Sequence, residues 1–176
     1  MKAMDGGEKI SVILMGHGSR VPDASRSMEM VAQALAACGR YWMVEVCHMS
    51  RMGPFFPEAL KKLVEAGARR IILIPYFLHM GLHMRLDIPE MMREEVAKYP
   101  DVKLSFGPSL GFDQALVDLV ARRIEDAGQL PDVRELELAP RESYPLPEGE
   151  MEFVAMPPEE AQKYHKDHGD GHGHDH

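Results

Sequence analysis

The chain has 176 residues, of which 45% are hydrophobic and 27% charged, enough for one globular domain with a substantial core. Its formal net charge of -8, without a clustered basic stretch, argues against nucleic acid or an anionic membrane as a partner. The first apolar run is too short for a signal peptide or a membrane span, so we expect a cytoplasmic protein. Cys38 and Cys47 lack the spacing of a metal motif, and we predict that both are reduced, buried thiols.

Short apolar runs alternate with amphipathic stretches from the first strand onward, a pattern typical of repeated βα units. ISVILM (10–15) predicts a strand, followed by a helix from about Pro22 to Cys38 that stops at Gly39. YWMVEV (41–46) predicts a second strand, and residues 57–67 have the apolar spacing of a second helix.

The second half of the alternating region repeats this pattern. RRIILIP (69–75) is apolar on successive residues, as a parallel strand covered on both faces should be. Asp87, three residues before Glu90, predicts an N-cap for a helix from Ile88 to about Lys98, with Pro89 in its first turn. Residues 102–106 and 114–128 complete a fourth strand and helix, so we predict a doubly wound α/β sheet over residues 8–128.

The end of the chain differs in composition. Residues 129–164 are acidic and rich in proline, with two strand-like pieces (133–138 and 151–155) that we interpret as a short hairpin. Residues 165–176 contain no apolar side chain to bury, so we expect a disordered segment in the absence of metal. Aspartate and glycine interrupt its histidines, which favours a native metal-binding tail over an expression tag. Its metal-ligand candidates are His165, His168, His172, His174 and His176.

The remaining four histidines all follow predicted strands. His17 follows the first strand, His48 the second, and His79 and His83 the third. Because the carboxyl ends of parallel strands share one edge of a sheet, these imidazoles should converge there. Neutral imidazole binds divalent first-row metals and accepts protons near neutral pH. GHGSR has neither the lysine of a phosphate-binding loop nor a third glycine, which disfavours nucleotide binding.

Three stretches carry a family resemblance. GHGSR, EAGARRIILIPYFL and GLHMRLDIP resemble the small sirohydrochlorin cobaltochelatases, CbiX-type class II chelatases, over roughly residues 8–128. The resemblance implies a chelatase-like three-layer fold, with a four-stranded parallel sheet and helices on both faces. It also implies a homodimer that inserts a divalent metal into sirohydrochlorin without ATP or an organic cofactor, in cobalamin or related tetrapyrrole biosynthesis. Co²⁺ is the metal the family implies, with Ni²⁺ or Fe²⁺ as alternatives.

The resemblance also assigns residue roles. It implies that His17 and His83 are the metal-binding and catalytic pair. We predict His79 and His48 as supplementary metal ligands, although the family does not usually carry histidine at either position. Arg20 and Arg85 are predicted partners for carboxylates on the substrate's periphery, which a guanidinium matches well.

One departure from the family leaves a second interpretation open. Where the family usually has a glutamate after the second strand, this chain has Ser50. The missing carboxylate and the histidine-rich tail would also suit a non-catalytic metal carrier or sensor on a chelatase-like scaffold. A histidine phosphatase is disfavoured, because that chemistry uses Arg-His-Gly and the residue before His17 is glycine.

Overall fold

The structure is a computed structural model that describes residues 9–19, 21, 23–79, 81, 85–140 and 143. The chain divides into two compact units, residues 1–136 and 137–176. The predicted boundaries at residues 128 and 164 stay predictions. The elements described in the first unit are β1 (Ile10–Gly16), α1 (Arg26–Ala37), β2 (Met43–His48), α2 (Phe56–Glu65), β3 (Arg70–Pro75), α3 (Asp87–Val96), β4 (Lys103–Phe106), α4 (Gln114–Ala127) and a 3-10 helix (Val133–Glu135).

The strands form one parallel sheet in the order β2-β1-β3-β4. This confirms the predicted four-stranded parallel sheet. Gly16 at the end of β1 pairs with His48 at the end of β2, and Met15 pairs with Pro75 at the end of β3. The three carboxyl ends therefore lie side by side, which is the edge where α/β sheets bind ligands.

The central strand β1 is buried along its whole length. Ile13 and Met15 face one core, which α2 and α3 cover with residues such as Phe56, Leu60 and Ile88. Val12 and Leu14 face the opposite core, which α1 covers with Met28 and Ala32. Helices thus cover both faces of the sheet, as the three-layer prediction requires. β3 is fully buried only on the α2 and α3 side, because Ile71 and Leu73 are buried while Ile72 and Ile74 stay partly accessible.

Two predicted helix starts are wrong. α1 begins at Arg26, after a turn over residues 23–25, and not near Pro22. The Ser25 hydroxyl donates to the Glu29 carboxylate (2.7 Å) and does not cap the helix amides. α3 begins at Asp87 itself, with Leu86 at the N-cap, so Asp87 lies in the first turn, where a carboxylate still favours the positive end of the helix dipole.

The predicted strand over residues 133–138 is also wrong. Val133–Glu135 forms a 3-10 turn, because the Asp132 carboxylate accepts from the Arg134 amide (2.9 Å) and pairs with its guanidinium. The second predicted piece of the hairpin, 151–155, lies outside the described residues.

Cys47 is buried as predicted, but Cys38 is exposed at the C-cap of α1, where that helix ends before Gly39. Within the described ranges, no helix is long and apolar enough to cross a membrane.

Helix α4 has no buried residue, although its sequence is amphipathic. Asp113 caps it by accepting a hydrogen bond from the Ala115 amide (2.8 Å), which explains where the helix begins. Its apolar side chains share one stripe and include Val117, Val120 and Ile124, of which Ile124 is 68% exposed.

Candidate functional site

The loop after β1 is joined to the loop after β2 by backbone hydrogen bonds. The Met49 amide donates to the Gly16 carbonyl (3.0 Å), and the Ser50 amide donates to the His17 carbonyl (3.2 Å). The Ser50 hydroxyl donates to the same His17 carbonyl at 3.2 Å. These bonds continue the β1–β2 pairing past the ends of the strands, so they hold the backbone that carries His17.

Gly18 is required by this junction for two reasons. Its φ of +90° lies in a region that residues with a Cβ rarely adopt. A Cβ at this position would also collide with the Ser50 carbonyl oxygen. The second glycine of GHGS therefore allows the loops after β1 and β2 to approach closely.

The His17 side chain is exposed at the rim of the site, while its backbone is held below. Its ring lies edge-to-face against Phe77, with ring centroids 6.5 Å apart and an interplanar angle of 81°. Phe77 follows β3 and packs against the core covered by α2 and α3. An aromatic edge-to-face contact of this kind favours one imidazole orientation, and the His17 Nδ1 lies 3.3 Å from the Gly18 carbonyl oxygen.

A cavity of about 200 Å³ opens at this edge of the sheet. Residues from the ends of β1, β2 and β3 and from the start of α1 line it. They are Gly16, His17, Gly18, Ser19, Ala24, Ser25, Ser27, Met28, His48, Tyr76 and Phe77. These described residues carry imidazole, hydroxyl, thioether and aromatic groups, and none of them carries a carboxylate.

His48 is the buried histidine of the cavity. Its side chain belongs to the last residue of β2, is only 5% exposed, and has an Nδ1 atom with no hydrogen-bond partner among the described residues. Its backbone amide donates to the Pro54 carbonyl (2.9 Å), which fixes the strand end. Because Gly16 has no side chain, the Met28 thioether packs closely against it, and the imidazole of its cross-strand partner His48 lies alongside.

The structure brings together two of the predicted site residues, His17 and His48, in one cavity. His79 is exposed and not part of the cavity lining, and Arg85 is exposed as well. His83, Arg20 and the five tail histidines lie outside the described residues. Across the part of the chain that is described, no three His, Cys, Asp or Glu side chains are close enough to hold a metal ion.

Several residues of the cavity were not predicted from sequence. Tyr76 and Phe77 follow β3 directly. Their position just after a parallel strand could have identified them as cavity residues from the sequence. Ser25 is the residue before α1, and Ser27 and Met28 lie in the first turn of that helix. That helix begins beside the loop after β1, so its N-terminal end faces the cavity and favours negatively charged groups.

The fold and this site define a class of protein. The profile of the CbiX family matches residues 11–127, which include most of β1, the GHGS loop, β3 and all of α4. The chain therefore belongs to the CbiX family.

Similar proteins carry related names. A sirohydrochlorin cobaltochelatase of Methanopyrus kandleri is 30% identical over 67% of this chain and 96% of its own. A sirohydrochlorin ferrochelatase of Bacillus subtilis is 28% identical over 68% of this chain and 46% of its own. Among solved structures, the sirohydrochlorin chelatase SirB from Bacillus subtilis subspecies spizizenii, in complex with cobalt, has a TM-score of 0.63 and 27% identity. That alignment covers 67% of this chain and 50% of the SirB chain.

Proposed function

We propose that this protein is a sirohydrochlorin chelatase that inserts a divalent metal ion into the tetrapyrrole without ATP. The observation that carries the proposal is the position of His17. This histidine of the GHGS motif stands at the rim of a cavity at the carboxyl edge of the sheet, in a chain of the CbiX family. The names of the Methanopyrus and Bacillus relatives support sirohydrochlorin as the tetrapyrrole.

The chemistry of the reaction explains why imidazole suits this position. A free-base macrocycle must lose two pyrrolic protons, and the metal ion must lose bound water before the ring nitrogens take it. A neutral imidazole binds a first-row metal through nitrogen and also accepts protons near neutral pH. His17 is accessible and oriented by Phe77, so it is available for both tasks. We propose His83 as its catalytic partner, as the family resemblance implies.

Substrate charge provides a further argument. The peripheral carboxylates of sirohydrochlorin are anionic, and the start of α1 offers amide N–H groups and the positive end of a helix dipole to the cavity. Ser27 adds a hydroxyl group there, whereas the Ser25 hydroxyl donates to the Glu29 carboxylate. We propose that this end of α1, together with Arg20 and Arg85, binds the substrate's carboxylates.

We propose Co²⁺ as the metal substrate, in cobalamin biosynthesis, with Ni²⁺ and Fe²⁺ as alternatives. The name of the Methanopyrus relative and the cobalt in the SirB complex support Co²⁺, while the name of the Bacillus relative supports iron. The histidine-rich tail would raise the local concentration of metal near the active edge. His79 stays a predicted supplementary ligand that is exposed just after β3.

We also propose a homodimer. Only half of the SirB chain aligns with this chain, so two copies of this fold would provide a comparable amount of structure. A sedimentation measurement should give about twice the chain mass of 19.8 kDa. A single-chain mass at the concentrations used for activity would contradict this. We place the protein in the cytoplasm, where its free cysteines would stay reduced.

The proposed activity is tested by following the absorbance of sirohydrochlorin after addition of Co²⁺, Ni²⁺ or Fe²⁺ in turn. We expect the protein to accelerate the spectral change and the His17→Ala/His83→Ala variant to lose that acceleration. Lys61→Gln, on an exposed position of α2, serves as the matched control and should behave like the parent protein. If the parent protein is no faster than buffer with every metal, the chelatase proposal is wrong.

A metal carrier on the same scaffold is the second candidate function. The absence of a carboxylate from the described cavity lining favours it, because imidazole alone binds metal without adding an oxygen proton acceptor. Replacing all five tail histidines with asparagine separates the two candidates. A carrier would then lose most of its metal capacity and its function, whereas an enzyme at adequate metal should keep its rate.

A further inference from the structure

The His48 side chain combines burial with an unused polar atom. It is 95% shielded from solvent, it lines the cavity beside His17, and its Nδ1 has no hydrogen-bond partner among the described residues. Buried polar side chains in native proteins are normally hydrogen-bonded, so an unpaired one at a cavity calls for an explanation. A phenylalanine would fill this position with no polar group to satisfy, so packing alone does not account for an imidazole here.

A contrast within the same strand pair strengthens this argument. The Ser11 hydroxyl is also buried without a partner, but Ser11 lies near the start of β1 and is not part of the cavity lining. His48 is opposite Gly16, the last residue of β1 before His17. The unpaired nitrogen belongs to a side chain at the carboxyl edge, where the sheet presents its ligand-binding groups.

The polar and polarisable groups that line the cavity beside His48 are imidazole, thioether and hydroxyl groups. The His48 Cδ2, the ring carbon bonded to Nε2, and the Met28 thioether sulfur both lie within 4 Å of the point that a Cβ on Gly16 would occupy. Nitrogen and thioether donors prefer later first-row metals such as Co²⁺ and Ni²⁺, whereas Mg²⁺ and Mn²⁺ prefer carboxylate oxygen. The described cavity lining supplies no carboxylate.

We infer that His48 is a metal-binding residue of this site, so that imidazoles from the ends of β1 and β2 hold the incoming ion together. The inference rests on the proposed function and adds to it the basis of metal preference. A site of imidazoles without carboxylate selects Co²⁺ or Ni²⁺ over Mn²⁺. Ser50, which follows β2 two residues later, uses its hydroxyl to hold the His17 carbonyl, so His48 is the group from this strand end that binds metal.

The test uses the full-length chain with the five tail histidines replaced by asparagine, which removes their competing imidazoles. Co²⁺ alone is the probe, and its dissociation constant is measured by competition with a chromophoric chelator. His48→Gln and the shape-preserving His48→Phe are compared with Met49→Leu, a neighbouring residue that packs against the opposite core. We expect both His48 variants to weaken Co²⁺ binding by about tenfold or more, since loss of even an indirect ligand partner can cost that much. Met49→Leu should leave binding unchanged.

Two further measurements distinguish direct binding of the metal by His48 from a purely structural role of its side chain. Cobalt X-ray absorption should show one imidazole fewer in the His48 variants than in their parent. In the parent itself, with no substitution at position 48, Zn²⁺ as a diamagnetic stand-in should shift the ¹⁵N resonances of the His48 ring. Unchanged His48 ring resonances on Zn²⁺ binding would overturn the inference even if both variants failed to fold.

The outcomes for His48 and for the proposed function are separable. If His17→Gln weakens Co²⁺ binding and folded His48 variants do not, His48 is not a ligand while the chelatase proposal stands. If neither substitution changes Co²⁺ binding, the proposal that this edge of the sheet binds the metal ion is wrong, and the proposed function fails with it. A Co²⁺ to Mn²⁺ preference that is identical in the parent and in His48→Phe would overturn the claim about metal selection.

Discussion

The His17 carbonyl oxygen accepts two hydrogen bonds from Ser50, one from its amide and one from its hydroxyl, each 3.2 Å long. Ser50 thereby ties the loop that carries the GHGS motif to the end of the neighbouring strand. The residue that stands where the family usually has a glutamate has a positioning role in this chain. We expect any effect of Ser50 on the proposed reaction to be indirect, through the placement of His17.

Ser50→Ala should remove only the hydroxyl bond, because the backbone amide still donates to His17. We expect the free energy of unfolding to fall by about 0.5–1.5 kcal/mol, the usual net worth of one hydrogen bond. Urea unfolding measures this change, and chelatase rates at saturating metal test the positioning role. Lys61→Gln, on an exposed position of α2 away from the cavity, is the control. Equal rates for Ser50→Ala and the parent would mean that the amide bond alone holds His17.

Gly18→Ala should be far more disruptive than its small change in volume indicates. The positive φ alone costs an alanine roughly 1–2 kcal/mol. The collision with the Ser50 carbonyl adds a further cost of about 1–3 kcal/mol. Gly39→Ala is the matched control, since Gly39 also has a positive φ (+68°) but nothing within 4 Å of a Cβ. If urea unfolding shows the same loss for both variants, the close approach to Ser50 is not the cause.

The two cysteines should differ sharply in alkylation. Hydrogen bonding to Arg40 lowers the pKa of the exposed Cys38 thiol, which increases its thiolate fraction near pH 7.5. Iodoacetamide should therefore modify Cys38 first, as mass spectrometry of the intact protein and its peptides will show. Arg40→Gln should slow that reaction. Modification of Cys47 at a similar rate in the folded protein would contradict its burial.

The buried Cys47 predicts a specific pH dependence of stability. Burial raises the pKa of this thiol to about 12, so the folded protein keeps a proton that the unfolded chain loses at a lower pH. The resulting stabilisation is complete below the unfolded pKa and is lost as pH rises from about 9 toward 12, by up to about 1.4 kcal/mol per pH unit. Urea unfolding at several alkaline pH values measures the slope. Cys47→Ala should have a shallower slope, and an identical slope would contradict the prediction.

Phe56 should be the most damaging aromatic truncation among those described. It is 1% exposed and packs in the core that α2 and α3 cover over the sheet. We expect Phe56→Ala to cost about 3–5 kcal/mol in the free energy of unfolding, from lost burial and the cavity left behind. Phe112→Ala, at an 86% exposed position, should change stability by less than about 0.5 kcal/mol. Similar losses for the two variants would contradict this account of the core.

The order of strands and helices over residues 10–128 could be predicted from the sequence because each element has a distinct apolar period. Continuous apolar runs predicted β1 and β3, helical spacing predicted α1, α2 and α4, and a cap-like start predicted α3. Helix starts were less predictable. Asp87 has the sequence pattern of a cap, yet the backbone enters the helix one residue earlier, at a position that side-chain pattern does not specify.

The sequence by itself determined that the histidines of the alternating region follow strands, since this depends only on chain order and the shared direction of parallel strands. The tertiary structure decided which of the described ones belong together. His48 is buried at the cavity, at the strand end that pairs with Gly16, whereas His79 lies a few residues beyond β3 and is exposed. The same distinction separates buried Cys47 from exposed Cys38. Strand register and the packing between elements distant in sequence produce these differences. Neither can be predicted from the local pattern of residues.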